Sequence, residues 1–104
     1  MKEFGFVLAT KKLVEESLPV MFMYREKGDA GDSGWRFFSG NEDQEYVDNP
    51  QNIGIYDIQT IVDIDDSILP FLDSVEGSAY ERDKVTKEFK IADDFAFTPE
   101  GSEV

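Results

Sequence analysis

Val20-Met21-Phe22-Met23-Tyr24 and Trp35-Arg36-Phe37-Phe38-Ser39 are the two runs whose reading decides the fold. The first is apolar at every position. A strand built from it has no polar face, which places it in the middle of a sheet, buried on both sides. The second returns as an antiparallel partner after a loop over residues 26–34, punctuated by Gly28, Gly31 and Gly34. Alternation puts Trp35 and Phe37 on one face of that strand and Arg36 and Phe38 on the other. Trp35 and Phe37 read as core. Arg36 reads as a structural cation, its stem along apolar surface and its guanidinium paired with a carboxylate.

Working outward, Phe4-Gly5-Phe6-Val7-Leu8 predicts a strand. Thr10 can cap a short helix through Ser17, with Leu13 and Val14 inward and Pro19 as its stop. Residues 40–52 read as a polar, acidic loop with a turn at Asn49-Pro50, and Ile53-Gly54-Ile55-Tyr56 as another strand. Asp57 can cap a helix whose Ile58, Ile61 and Val62 share one face. Asp66 can cap a further turn through Leu72, with Pro70 in its first turn. Residues 77–82 and 87–92 predict a closing hairpin. The expected fold class is therefore α+β: a single small domain, mostly antiparallel sheet with short helices, over residues 1–104. Residues 93–104 read as an acidic C-terminal tail, partly ordered, with Phe95 and Phe97 docking on the body.

Composition supports one domain. Nine Phe, four Tyr and one Trp in 104 residues can fill a core, although a net charge of −13 costs some stability through self-repulsion. There is no cysteine and no histidine, so disulfide and thiolate chemistry are excluded, and so are the commonest general base and transition-metal ligand. The apolar run at residues 4–9 is too short for a signal sequence or a membrane span. The expected location is the cytoplasm.

The charge is unevenly placed. Between Arg36 and Arg82 there is no lysine or arginine, yet eleven carboxylates: Glu42, Asp43, Glu45, Asp48, Asp57, Asp63, Asp65, Asp66, Asp73, Glu76 and Glu81. A folded segment of one sign repels nucleic acid and anionic lipid and attracts basic proteins. Within it, Glu42, Asp43, Glu45, Tyr46 and Asp48 form the candidate partner-binding set, with acids to speed encounter and an aromatic anchor. Reversing Glu42, Asp43 and Glu45 to Lys is expected to leave folding nearly intact. The simpler role of such a run is a solvated loop that confers solubility. Arg82, flanked by Glu81 and Asp83, can hold Glu26 or another strand, or face a partner.

No cofactor or metal motif is present. An EF-hand started at Asp63 would have Ile68 where glycine is needed and Ser74 where glutamate is needed. Gly28, Gly31 and Gly34 are not followed by Gly-Lys-Ser/Thr, and Asp29 and Asp32 would repel phosphate. Paired carboxylates, Glu42 or Asp43 with Asp63 or Glu81, could serve hydrolysis, but no spacing singles out a pair.

Four pieces together resemble a known bacterial family: Met23-Tyr24-Arg25-Glu26, residues 32–40 (Asp-Ser-Gly-Trp-Arg-Phe-Phe-Ser-Gly), residues 52–57 (Asn-Ile-Gly-Ile-Tyr-Asp) and residues 77–83 (Gly-Ser-Ala-Tyr-Glu-Arg-Asp). The resemblance, over residues 20–83, is to the thirty-third family of immunity proteins of polymorphic toxin systems. It implies a cytoplasmic α+β protein that neutralises a toxin by binding it and carries no catalytic set. A basic toxin such as a nuclease would suit the charge. A structural or regulatory interaction module with another partner is the alternative.

Overall fold

The computed structural model describes residues 5–28 and 31–92. Six strands form one mixed sheet: β1 (Phe6–Thr10), β2 (Phe22–Arg25), β3 (Asp32–Phe38), β4 (Ile53–Asp57), β5 (Ala79–Arg82) and β6 (Phe89–Ile91), in spatial order β4-β1-β3-β2-β5-β6. Only β1 and β3 run parallel; each remaining neighbouring pair is antiparallel. The α+β expectation is met, and β2 does lie inside the sheet.

Helices cover one face. α1 (Lys11–Glu15) starts at Thr10, whose side chain accepts from the Leu13 N–H. α3 (Ile58–Ile64) starts at Asp57, whose carboxylate accepts from Gln59. A 3-10 helix, Asp66–Phe71, follows. Their apolar residues Leu13, Ile58, Ile61 and Ile68 close on Val7, Ala9, Met23, Trp35 and Phe37 of the sheet. Trp35 is fully buried, stacks on Phe37 at 5.9 Å and donates its indole N–H to the Leu72 carbonyl at 3.2 Å. Burying each such ring contributes about 1.5–3 kcal/mol.

Several expectations need correction. β2 is not buried on both sides. Met23 is fully buried beneath the helices, while Phe22 and Tyr24 lie half-buried on the opposite face, packed with Phe38. Continuous hydrophobicity came here from an aromatic cluster on a face that no described helix covers. α1 ends at Glu15, because Ser17 turns to φ 52° before Pro19. Asp65, not Asp66, caps the 3-10 helix, and Pro70 lies past the first turn, on the exposed side. The supposed loop over residues 40–52 contains α2 (Gln44–Asp48) and a 3-10 turn, Pro50–Asn52. Phe95, Phe97 and the 93–104 tail lie outside the described residues.

The glycine spacing is structural. Gly34 has φ 93°, and a Cβ there would stand 2.0 Å from the Glu26 carbonyl oxygen. Gly34 lets β3 approach the end of β2, where the Glu26 N–H donates to the Gly34 carbonyl at 2.9 Å.

Candidate protein-binding surface

The acidic set sits on α2 and the turn before it. The residues fold there because one carboxylate gathers the loop. Glu42 Oε2 accepts from the Thr10 hydroxyl at 2.5 Å, the Ser39 N–H at 2.9 Å and the Ser39 hydroxyl at 2.8 Å, and Oε1 accepts from Gly40 N–H at 2.9 Å. Burial alone would push this carboxyl upward. The hydrogen bonds from Thr10 and Ser39 outweigh it and hold Glu42 below the usual glutamate value. Glu42 thus ties the ends of β1 and β3 to the start of α2, and it is not a freely exposed acid. The expectation that its reversal would leave folding intact is corrected on that ground. A lysine would set a cation among donors with nothing to accept from them.

Asp43 caps α2, accepting from Tyr46 N–H at 2.8 Å. Tyr46 is half-buried. Its hydroxyl accepts from the Lys12 backbone N–H at 3.0 Å, and the Lys12 ammonium lies 5.1 Å from its ring centre. These contacts dock α2 against α1. Asp43, Glu45 and Asp48 remain exposed. Asp48 accepts from Gln44 one turn earlier at 2.8 Å. The structure therefore groups all five predicted residues but divides them: Glu42 and Tyr46 hold the element, and the three other acids face outward.

Next to α2 the sheet face opposite the helices forms a groove of about 220 Å³, lined in part by Leu8, Tyr24, Arg36, Phe38, Val47 and Ile53. Arg36 is buried in its wall. It meets Glu26 through Nε at 2.5 Å and clamps Asp32 with both terminal nitrogens at 3.0 and 2.9 Å. The hydrogen bonds from Arg36 hold Asp32 below the usual aspartate value. Of this triad Arg36 and Glu26 line the groove, one charge of each sign. Burial, with Glu26 adding to it, pushes the Tyr24 hydroxyl up to about 12. The predicted pairing of Arg36 is observed.

Arg82 takes the structural role, with a partner other than Glu26. It pairs with Asp65 at 3.1 Å, lies 4.2 Å over the Phe89 ring and reaches the Ser67 hydroxyl. Burial raises the Asp65 carboxyl, but bonds from Ser67 and Val20 and the Arg82 charge bring it below its usual value. This pair locks β5 to the start of the 3-10 helix, on the helix side of the sheet.

Sequence reading missed α2 and the Glu42 anchor, although a signal was present. Asp43 is a favoured N-cap type at the start of α2, while Ser39 and Glu42 share only the spacing of a capping box, with no helix following Ser39. The four proposed hydrolytic carboxylates are not drawn into one site. Glu42 is bonded at the ends of β1 and β3, and Glu81 stands on β5, beyond β2.

Fold and surface together define a small α+β domain whose outstanding features are charge and an aromatic cluster on the sheet face opposite the helices, features suited to contact with another protein. The chain belongs to the Imm33 immunity protein family: the model of the Immunity protein Imm33 domain matches residues 7–92. No curated protein and no solved structure gave a match. The matched span covers every strand but the first residue of β1.

Proposed function

We propose that this chain is a non-catalytic immunity protein that acts in the cytoplasm, binding a cognate toxin through its acidic surface and blocking it. Membership of the Imm33 family carries the reading. The charge supports a basic partner: the net charge is −13, and the stretch containing α2, β4 and α3 has no basic residue. The outward carboxylates of Asp43, Glu45 and Asp48 steer such a partner, and the half-buried Tyr46 offers an aromatic edge beside them. Glu42 serves the same surface by positioning the element.

The test is co-expression with a candidate toxin-domain protein taken from the neighbouring open reading frames. Relief of growth arrest, together with a complex captured at low salt and weakened as salt rises, is the expected result. Unrelieved arrest with no complex at low salt refutes the reading.

A further inference from the structure

The two edges of the sheet are built differently. β6 is three residues long, carries Lys90 between Phe89 and Ile91, and follows a turn that holds Lys84 and Lys87. Lysines and shortness are the usual protection of an edge against strand addition. β4 is five residues long and has neither lysine nor proline. Among the described residues it pairs only with β1, in continuous register from Phe6↔Asp57 to Thr10↔Ile53. Among the described residues its outer row of backbone groups is therefore an open template.

Side-chain parity gives that template two different flanks. Ile55 pairs with Leu8 on the face opposite the helices and is 68% exposed, and Ile53 lines the groove on the same face. Tyr56 pairs with Val7 and points to the helix side. The charge of Glu15 and the hydroxyl of Tyr46 act there, raising the Tyr56 hydroxyl after burial has done so. An added strand thus meets aliphatic surface with one set of alternate side chains and carboxylate with the other. A second copy of the chain would bring −13 against −13.

From this we infer that the β4 edge receives an extended segment of the partner, one alternating apolar and basic residues, which pairs with β4 as a seventh strand. The inference rests on the immunity reading in taking that partner to be the toxin. Backbone pairing supplies the grip, and the Ile53–Ile55 flank and the Glu15 side supply the choice of sequence.

The probe is an acetylated, amidated peptide of alternating lysine and valine, titrated into the isotope-labelled chain while the β4 amides are followed by NMR. Shifts and slowed hydrogen exchange at Gly54, Ile55 and Tyr56 are expected. Methylating alternate peptide nitrogens, which keeps the charge but removes donors, is expected to weaken binding at least tenfold. Ile55→Lys, a change at an exposed position, is expected to do the same. Binding that survives methylation, shifts confined to α2, no binding, or a dimer of the chain itself paired through β4 would each overturn the inference. In the co-expression assay the two failures separate. If the immunity reading fails, the wild-type chain gives no relief; if only the edge inference fails, wild type and Ile55→Lys relieve arrest equally.

Discussion

Replacing Glu42 tests whether the acidic surface is built or merely exposed. Four hydrogen bonds converge on this carboxylate, and three of the donors belong to two buried residues: the Thr10 hydroxyl, and the N–H and hydroxyl of Ser39, in residues 0% and 5% exposed. Gly40 is exposed, so its N–H can turn to water. A buried donor left without a partner costs about 1–3 kcal/mol, so Glu42→Ala should destabilise the fold by about 2–5 kcal/mol. Glu42→Gln keeps one acceptor oxygen and should fall at the lower end of that range. The sign with pH follows from the depressed carboxyl. Its contribution is complete above the unfolded glutamate value, about 4.3, and disappears as pH falls through the lower folded value. Urea unfolding of wild type and Glu42→Gln from pH 7 to pH 3 should therefore show a stability gap that narrows on acidification. A loss below about 0.5 kcal/mol for Glu42→Ala at pH 7, the range of an ordinary surface change, would refute the reasoning, as would a gap independent of pH.

Trp35→Ala should cost about 3–5 kcal/mol by chemical denaturation, because it removes a fully buried ring and the hydrogen bond to Leu72. Asp65→Asn should cost about 3–5 kcal/mol at pH 7, since it leaves Arg82 almost buried without its counter-charge. The wild-type advantage over this variant should fade on acidification through the depressed Asp65 carboxyl, as thermal melts at several pH values would show. Reversing the three outward acids together, Asp43, Glu45 and Asp48 to Lys, should slow association with the toxin and flatten its salt dependence in stopped-flow measurements. Asp43 is also a cap, and a cap lost costs about 1 kcal/mol, so Glu45→Lys with Asp48→Lys is the cleaner variant for binding.

Much of this molecule is written locally. The Trp35/Phe37 against Arg36/Phe38 alternation, the caps at Thr10 and Asp57, and the Ile58–Ile61 spacing act over a few residues, so sequence fixes them through backbone geometry alone. The one-sign stretch from Arg36 to Arg82 is likewise a property of composition. What tertiary structure decided is where those pieces meet. The parallel join of β1 to β3 brings Thr10 beside Ser39, and only that juxtaposition turns Glu42 from a loop acid into an anchor. Asp65 finds Arg82 across a gap of seventeen positions in the chain, a pairing that neither residue's neighbours foretell. The unprotected β4 edge has the same origin. A strand's place in a sheet depends on which other strands outcompete water for its backbone, and that contest is settled between segments distant in the chain.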